Sequence, residues 1–547
     1  MTANRISVYG LVGFIAFISG GWLLQRAESD AAADTYANAR VFEEVLQHVA
    51  SYYVDSLSEA QLYDLAIDGM LESLGDPYTA FLRQRELRDL TLSTTGNYGG
   101  LGIRIDVRDG WITIITPLPD TPADRVGLEP GDRIVEVEGV STEGWSSSQA
   151  VNELKGEPGT DVRIKIMRPG YSELLPFTVT RAMIHVNSVG TATMLDREVG
   201  YVSLATVAET TAREFEEAVA DLVDRGATSL VLDLRNNPGG ILMQGVGVVD
   251  LFLGQGEIVV ETRGRASGAS RVYRSTSEPR WPDIPLVVLV NQLSASAAEI
   301  IAGALQDHDR ALILGMSTFG KGVAQLVFRI GENQALRVTT SKWYTPLGRT
   351  LQRTAEADAR ESLVALLPGA ADSTHSDSSS VFVTPSGREL FGGGGIVPDV
   401  TVASAEISEE QQLFADVLGS GVPIYQDVLT SYAIEIMGRD EPLSGDVTIS
   451  DDMLDEVRRR LDSRGVAFDN AQWAQVDGIV ERQFGYVLTR YLIGRTREAE
   501  LRARNDEQIL AALRFLTQVQ SQEELLALVP DSDDQGVTTR APAGISN

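Results

Sequence analysis

Residues 286–300 have the sequence LVVLVNQLSASAAEI, and this stretch is the strongest indicator of the fold. Its first five residues form a continuous apolar run typical of a buried strand, and the small residues after Leu293 favour a helix. Apolar runs and helical stretches also alternate in the preceding part of the chain. The predicted elements there are strands at Tyr201–Leu204 and Leu230–Leu234 and a helix around Phe215, Val219 and Leu222. This alternation predicts an α/β layer with largely parallel strands.

Ser296 lies where the strand is predicted to turn into the helix. A serine at such a turn has its hydroxyl exposed and leaves the amide of the next residue, Ala297, free, as nucleophilic catalysis needs. Serine alone is a poor nucleophile and requires a base. His308 is the only histidine nearby in the sequence.

Lys321 is a second candidate for the base, in the segment TFGKGVAQ at residues 318–325. Neutral lysine can deprotonate serine once burial lowers its pKa from about 10.4 toward about 7–8. The small and apolar neighbours suit such a lysine. For this segment alone, an ordinary exposed loop lysine is the alternative.

The segment LVLDLRNNPGG, residues 230–240, ends in a glycine turn after a strand. The backbone amide of Gly239 or Gly240 can supply one donor of an oxyanion hole, with Ala297 supplying the other. A phosphate-binding loop is excluded because no Gly-Lys-Ser/Thr follows. A plain tight turn is the alternative for this piece in isolation.

Beyond Gly96 the pattern changes to short alternating apolar runs separated by turns, which predicts a small β-rich domain. In YGGLGI, residues 98–103, backbone N–H groups beside the glycines can hold a carboxylate. The candidate carboxylate-binding residues are Gly100, Leu101, Gly102 and Ile103. Together with TPADRVGL at 121–128 and PGDRI at 130–134, the region at about 95–182 resembles a PDZ domain. The resemblance implies that the C-terminus of another protein docks as an added strand.

Seven motifs spread in order over residues 36–402 resemble the carboxyl-terminal-processing, or tail-specific, serine protease family. They are DPYT at 76–79, DLRNNPGG at 233–240, SASAAE at 294–299, GALQD at 303–307, TFGKG at 318–322, YTPLGR at 344–349 and GGGIVPDV at 393–400. The resemblance implies a crotonase-like α/β core that carries an inserted PDZ domain.

The resemblance also implies roles for individual residues. The family's nucleophile matches Ser296, its base matches Lys321, and a glutamine that orients the amine matches Gln325. The oxyanion donors match the amides of Ala297 and of Gly239 or Gly240, and Ser294 is then structural. The chain departs from the family at Ala298, where many relatives carry a further serine, and this change is expected to be neutral. A helical extension after residue 402 also exceeds the minimal family architecture.

The domain organisation expected from these patterns is an α/β multidomain protein with helices at both ends. Its parts are a signal anchor at 1–26, N-terminal helices at 36–92, a PDZ domain at 95–182, an α/β protease core at 183–402 with a flexible insertion at 369–380, a helical extension at 403–528 and a disordered tail at 529–547.

Composition narrows the classes of function. The 547 residues carry a formal charge of −31, so nucleic acid is an improbable partner. The absence of cysteine excludes disulfides, thiolate metal sites and cysteine nucleophiles, and four scattered histidines make a multi-histidine metal site improbable. We expect neither a metal nor a cofactor.

The N-terminal segment ISVYGLVGFIAFISGGWLL, residues 6–24, follows Arg5 and is long enough to cross a bilayer as a helix. No small-x-small cleavage site follows Leu24 directly, which favours an inner-membrane anchor with the rest of the chain in the periplasm or extracytoplasmic space. A buried core helix is the alternative. The apolar faces of the helices at 36–92 and after 402 are candidates for self-association or for binding an adaptor lipoprotein, with packing inside the chain as the alternative.

Three hypotheses of function follow. The first is an envelope serine endopeptidase with a Ser296–Lys321 dyad, which cuts proteins near C-terminal tails held by the PDZ domain. The second is a catalytically inactive, membrane-anchored PDZ scaffold. The third is an acyl-CoA enzyme, since crotonase-like folds also use oxyanion holes, but no coenzyme-binding segment is evident.

Overall fold

The computed structural model describes residues 36–168, 170–196, 198–353, 380–402, 408–438 and 447–529. Three predicted segments lie outside the described residues. They are the anchor at 1–26, the insertion at 369–380 except for its last residue, and the tail at 529–547 except for its first residue. Among the described residues, none of the helices is both long enough and apolar enough to span a bilayer. The chain divides into two units, one holding the residues up to Gln84 with Gln325–Thr339 and the other holding the rest.

In the described residues that precede Gln84, the first unit contains two helices and a short strand. Helix α1 covers residues 36–52, α2 covers Glu59–Glu72 and strand β1 covers Ala80–Leu82. Helix α2 begins with a capping box, in which the Ser58 N–H donates to Gln61 Oε1 at 2.8 Å and the Gln61 N–H donates to Ser58 Oγ at 3.3 Å. Strand β1 pairs antiparallel with residues 335–337, so that Ala80 lies opposite Arg337.

The second unit begins at the second residue of helix α3 (Gln84–Thr95) and continues into the β-rich domain. The domain contains β3 (Ile103–Arg108), β4 (Trp111–Pro117), α4 (Pro122–Arg125), β5 (Arg133–Val137), β6 (Val140–Ser141), α5 (Ser147–Leu154), β7 (Asp161–Met167) and β8 (Leu175–Thr180). The antiparallel sheet has the order β3-β4-β5-β7-β8, with β6 beside β5. Along β7, Val162, Ile164 and Ile166 are buried while their neighbours are exposed, as the alternating pattern predicted.

Two short strands join this domain to the rest of the unit. They are β2 (Asn97–Gly100), which leads into the domain, and β9 (Ala182–His185), which leaves it. They pair antiparallel, with Gly100 opposite Ala182 and Asn97 opposite His185. The β-rich domain therefore begins and ends at one place.

The central sheet is the predicted α/β layer. Its strands are β10 (Val189–Met194), β11 (Val199–Leu204), β12 (Ser229–Asp233), β15 (Leu286–Val290), β16 (Leu312–Gly315) and β21 (Val400–Thr401), in that spatial order. All neighbours are parallel except β10, which runs antiparallel to β11. Every residue of β12 and β15 is buried, because both faces of the sheet are covered.

One face of the sheet packs against three helices. They are α6 (Thr211–Asp224), α7 (Leu242–Asp250) and α8 (Ala297–Asp307). The remaining strands of the described residues are β13 (Ile258–Arg263), β14 (Arg271–Arg274), β17 (Val323–Ile330), β18 (Gln334–Tyr344), β19 (Val381–Val383) and β20 (Glu389–Phe391). The boundary between the two units falls within β17 and β18.

The C-terminal extension consists of two parts. Helices α9 (Glu409–Leu418), α10 (Val422–Met437), α11 (Asp451–Ser463) and α12 (Asn470–Leu492) surround an apolar core of their own. Helices α13 (Arg495–Ala503), α14 (Glu507–Leu516) and α15 (Gln522–Ala527) instead cover the second face of the central sheet. Ile509, Leu516 and Leu525 pack there with Val231 and Val287, so this second part completes the core around the central sheet.

Candidate active site

Ser296 occupies a strained turn between β15 and α8. It is the N-cap residue of α8 and has φ 56° and ψ −116°, a backbone conformation that is rare for residues other than glycine. Its neighbours Ala295 and Ala297 are 8% and 1% exposed, whereas Ser296 itself is partly exposed. The turn therefore presents the serine at the start of a buried helix, where the amide of Ala297 has no partner within the helix.

Ser294 has the structural role that was predicted for it. Its side chain is fully buried, and Oγ donates to the Leu234 carbonyl at 2.7 Å and accepts the Asn291 N–H at 3.0 Å. Ser294 thus ties the turn before Ser296 to the end of strand β12.

Glu299 links the serine turn to the lysine loop. Its carboxylate is fully buried, and one oxygen, Oε2, accepts both the Ser296 N–H at 2.8 Å and the Lys321 N–H at 2.9 Å. The other oxygen accepts Thr318 Oγ1 at 2.6 Å and the Gly320 N–H at 2.7 Å. Because one oxygen binds both amides, the backbones of Ser296 and Lys321 are adjacent.

Glu299 had no predicted role. The Ser-x-x-Glu spacing before an apolar helical run was a visible signal, because it is the pattern of a capping box. Burial raises the pKa of Glu299 above its ordinary value, although the four hydrogen bonds oppose this change. A buried carboxyl with four donors is a costly group that the fold keeps at the centre of the site.

The backbone of Lys321 is held on its other side by Trp343. The indole N–H of this buried side chain donates to the Lys321 carbonyl at 3.0 Å, and the Trp343 backbone N–H donates to the Gly322 carbonyl at 3.0 Å. The Gly322 N–H in turn donates to Gln352 Oε1 at 3.0 Å. Lys321 is partly buried, so the structure does not place it in the exposed loop of the alternative hypothesis.

The glycine turn packs directly against the serine turn. Gly239 has φ +84°, and a Cβ added there would lie 2.7 Å from the Ala297 nitrogen and 2.8 Å from Ser296 Cβ. Only glycine can bring the two backbones so close. Asn237, which is fully buried, joins them further, because its carbonyl accepts the Ala295 N–H at 2.9 Å.

The two candidate glycine donors differ in their hydrogen bonds. The Gly239 N–H donates to Asn237 Oδ1 at 2.8 Å. Within the described part of the chain, we find no acceptor for the Gly240 N–H. Gly240 has φ +148°, and a parallel β-bridge with Val207 fixes the position of Gly240. Of the two amides, that of Gly240 is therefore the one left for a ligand.

His308 is removed from the serine. It caps the C-terminal end of α8, whereas Ser296 caps the N-terminal end of the same helix. An 11-residue helix is about 16 Å long, and His308 Nε2 is already bound to the Ile258 carbonyl at 2.7 Å. His308 is therefore excluded as the base for Ser296.

Gln325 belongs to the first unit, together with the DPYT motif. Its Nε2 donates to the Tyr78 carbonyl at 2.5 Å. The motif itself is a turn in which Asp76 accepts the Tyr78 N–H at 3.0 Å and the Thr79 hydroxyl at 2.5 Å. The role of Gln325 in orienting Lys321 stays a prediction.

The predicted carboxylate loop precedes the edge strand of the β-rich domain. Leu101 is 2% exposed, and Gly102 has φ +77° with no room for a Cβ, which would lie 2.3 Å from Thr121 Cβ. The carbonyls of Leu101 and Gly102 accept the N–H groups of Ala123 at 2.9 Å and Leu118 at 2.8 Å. With these carbonyls bound inside the domain, the loop can turn its amides outward, and β3 beyond it is at the end of the sheet.

Family models match three successive parts of the chain. Residues 23–85 match the activating protease CtpB N-terminal domain, residues 89–167 match the PDZ domain, and residues 198–359 match peptidase family S41. The fold and the site thus define a serine-type peptidase that carries a PDZ domain.

Curated relatives agree with the family models. A carboxy-terminal-processing protease of Bartonella bacilliformis is 36% identical over 350 residues, which are 62% of this chain and 80% of the relative. The carboxy-terminal processing protease CtpA of Bacillus subtilis is 31% identical over 337 residues, or 62% and 71% of the two chains. The chain belongs to the carboxy-terminal-processing protease family.

Among solved structures, the photosystem II D1 C-terminal processing protease is 31% identical with a TM-score of 0.32, covering 57% of this chain and 89% of that one. The PDZ domain of a carboxy-terminal protease from Vibrio cholerae, solved in complex with a peptide, is 27% identical with a TM-score of 0.16, covering 16% and 99%.

Proposed function

We propose that the protein is an endopeptidase in which Ser296 is the nucleophile, neutral Lys321 is the general base, and the substrate is a protein whose C-terminal tail is held by the PDZ domain. The observation that carries the proposal is the shared carboxylate oxygen of Glu299, which binds the amides of Ser296 and Lys321 at 2.8 and 2.9 Å. Serine and lysine from two separate motifs thereby lie side by side.

The reaction follows the chemistry of an activated serine. Ser296 Oγ attacks the carbonyl carbon of the scissile peptide bond while its proton passes to the amine of Lys321. The C–N bond then breaks, the resulting ammonium group protonates the leaving amine, and an ester to Ser296 remains. Water that gives its proton to the same amine then attacks this ester, and the ammonium group returns the proton to Ser296 Oγ as the C–O bond to the serine breaks, which releases the free enzyme.

The amides of Ala297 and Gly240 are the proposed donors to the oxyanion. Support comes from the packing of Gly239 against Ser296 and from the unassigned N–H of Gly240. Backbone donors held this rigidly stabilise developing negative charge without reorganising during the reaction.

The PDZ domain is the proposed substrate-capturing module. The carboxylate of a protein tail binds the amides of residues 100–103, and the tail adds to the free edge of β3 beside helix α5. Ile103, Ile105 and Val107 line this edge and are only partly buried, which leaves apolar surface for the side chains of the tail.

The decisive test compares wild-type protein, Ser296→Ala and Lys321→Ala in the cleavage of a folded protein with an unstructured C-terminal tail. Both variants should lose at least about 1,000-fold in kcat/KM. Lys342→Ala, which alters an exposed lysine on β18, is the matched control and should keep full activity. Full activity in either site variant would remove the proposal.

The rate of the wild-type enzyme should rise with pH as the amine of Lys321 loses its proton. The pH dependence of kcat/KM between pH 6 and 9, measured where the protein stays folded, checks this expectation. A rate that falls steadily over that range would contradict an amine base.

We further propose that the apolar segment at 6–24 carries the enzyme into the cell envelope as an inner-membrane anchor, so that its substrates are envelope proteins. Length and lack of charge in this segment support the proposal. Fractionation of cells that make the full chain or a chain starting at Ala27 tests it: only the full chain should sediment with membranes.

Self-association, or binding of an adaptor lipoprotein, is proposed for the first unit. Support comes from apolar side chains that are well exposed in the described helices, among them Val41 at 61%, Leu65 at 59% and Met70 at 60%. Light scattering of the purified chain, with and without its envelope proteins, distinguishes a homo-oligomer from an adaptor complex and from a monomer.

A further inference from the structure

Arg235 joins the glycine turn, residues 234–240, to the C-terminal layer that helices α13 to α15 form. It lies between strand β12 and the glycine turn, and its side chain is 16% exposed. The guanidinium donates to both oxygens of Asp233 through Nε, and Nη2 donates to Asp233 Oδ2 at 2.7 Å. The remaining nitrogen, Nη1, points to residues more than 270 positions later in the chain.

Asp506 is the main partner of that third nitrogen. Arg235 Nη1 donates to Asp506 Oδ2 at 2.8 Å and Oδ1 at 3.0 Å, and to Gln508 Oε1 at 2.9 Å. Asp506 is also the N-cap of α14, because Oδ1 accepts the N–H groups of Gln508 and Ile509, both at 3.0 Å. The Asp506 carboxylate is therefore held in place by its own helix as well as by the arginine.

Strands of the central sheet complete the cluster. Tyr201 on β11 donates its hydroxyl to Asp233 Oδ2 at 2.8 Å, and Gln508 Nε2 donates to the Val402 carbonyl at 2.7 Å. Arg235 is thus held at a junction of the sheet and the C-terminal layer. Charge-assisted hydrogen bonds in a planar arrangement define the position of a guanidinium closely.

The glycine turn is therefore attached at two sides. On the side of the serine, Asn291 Oδ1 accepts the Asn236 N–H at 2.9 Å and Ser294 Oγ donates to the Leu234 carbonyl at 2.7 Å. On the opposite side, Arg235 bonds to the C-terminal layer through its side chain. It is the only residue among 234–240 that does so within the described chain.

We propose that Asp506 is a positioning residue for catalysis: through Arg235 it sets the placement of Gly239 and Gly240 against Ser296. The proposal rests on the proposed function for its catalytic meaning. It makes the C-terminal layer part of the machinery that stabilises the oxyanion, although this layer lies beyond the residues matched by the peptidase family model, which end at 359.

The test is Asp506→Asn in the full chain. Asparagine keeps the N-cap of α14 but removes the charge that holds Arg235, and the Arg235–Asp233 pair stays intact, so the variant is expected to fold. Asp469→Asn is the matched control, because Asp469 caps α12 in the same way and has no contact with Arg235. Cleavage of a tailed protein is measured as kcat and KM for all three proteins.

Asp506→Asn should lower kcat about 10-fold and leave KM within about 2-fold, because a displaced oxyanion donor weakens only the transition state. The control should keep both constants. An unchanged kcat in Asp506→Asn, or an equal fall in the control, would overturn the proposal.

Hydrogen exchange of the amides in residues 234–241 separates this proposal from the proposed function. Asp506→Asn should speed exchange in this segment at least about 5-fold while Asp469→Asn leaves it unchanged. Unchanged exchange refutes the positioning role even if Ser296 is the nucleophile. Faster exchange together with full activity of Ser296→Ala would support the attachment of the glycine turn to Asp506 and would refute the proposed function.

A second variant, Gln508→Leu, covers the case in which Asp506→Asn does not fold. It removes one contact of Arg235 and the bond from Gln508 to the Val402 carbonyl, and it keeps the charge and cap of Asp506. It should lower kcat about 3-fold with faster exchange in residues 234–241, and wild-type values for both would count against the proposal.

Discussion

Glu299 shows how a single residue can unite two motifs that are separated in the sequence. Its carboxylate is fully buried and accepts four hydrogen bonds, two from the serine and lysine residues and two from Thr318 and Gly320. Each such bond to a charged acceptor contributes about 1.5–3 kcal/mol, which offsets part of the cost of burying the charge. The geometry of the candidate site thus depends on a group that has no step in the proposed reaction.

Glu299→Gln should therefore damage both activity and stability. A glutamine side chain has one acceptor oxygen, and its NH2 group would face two of the four donors. We expect kcat/KM to fall about 100-fold through misplacement of Lys321, and the free energy of unfolding to fall by about 2–4 kcal/mol. Cleavage kinetics and urea denaturation measure these effects. Glu409→Gln, in the exposed first turn of α9, is the control and should change neither.

Glu214 gives the protein a defined response to acid. It is 5% exposed, so burial opposes its ionised form, but hydrogen bonds from Thr210, the Ser188 N–H and His185 hold its pKa below the ordinary value of 4.5. A carboxyl with a lowered folded-state pKa stabilises the fold above its unfolded-state pKa and loses this contribution as the pH falls through the folded value.

Glu214→Gln should accordingly lower the free energy of unfolding by about 2 kcal/mol at pH 7. The difference from wild type should persist down to about pH 4.5 and shrink as the pH falls further, because Glu214 is protonated first in the unfolded chain and then, at its lowered folded-state pKa, in the folded protein. Urea denaturation at pH 7, 5 and 3.5 measures this difference. Glu217→Gln on the same helix, 64% exposed, should behave like wild type. A gap that widens below pH 4.5 would contradict a lowered folded-state pKa for Glu214.

At the scale of elements, the strands of the central sheet were the most predictable feature. The strand predicted at Leu286–Val290 is confirmed with the same first and last residues. A parallel strand that is buried on both faces is apolar at every position, so the sequence shows where it begins and ends. The change from strand to helix around Ser296 was also predicted, because small residues follow this strand, whereas the positive φ of Ser296 was not.

The C-terminal helices show what the sequence could not reveal. Their apolar periodicity predicts helices with a buried face, but it carries no information on which surface that face covers. The contact between Arg235 and Asp506 joins residues 271 positions apart, and either one alone resembles an ordinary surface charge. Glu299 was missed for a similar reason: its capping-box spacing was visible, whereas its bond to Lys321 depends on the tertiary fold.

The carboxylate loop offers a prediction about one glycine. Gly102→Ala should weaken binding of a tail peptide at least about 10-fold, because a Cβ there would meet Thr121 and push the loop out of place. Fluorescence anisotropy with a free-carboxylate peptide measures this, and the amidated peptide should bind weakly to every protein. Gly110→Ala is the control: it has a similar φ of +79° and open space around the Cβ. Equal weakening in both variants would show a general loss of fold.

At the scale of the whole chain, the extension supports the peptidase from two directions. Its helical bundle contacts the β-rich domain, where a Cβ on Gly131 would lie 3.1 Å from Ile434 and Arg108 lies 3.8 Å from Asp427. Its last three helices cover the second face of the central sheet. The part of the chain beyond the peptidase family model therefore supports both the β-rich domain and the central sheet.

A chain that ends after Gly494 should consequently not fold. It lacks α13 to α15 and would expose apolar residues such as Val231, Val287 and Leu289, all fully buried in the intact protein. Each loses about 1.5–3 kcal/mol on exposure, so exposing five or more of them costs as much as the 5–15 kcal/mol that stabilises a typical domain. The control is a chain that ends after Val529, which keeps every described contact of the sheet. Circular dichroism and thermal melting should show a cooperative transition for the control alone. A folded, active chain ending at Gly494 would mean that the second face of the sheet tolerates water and that the C-terminal layer is dispensable.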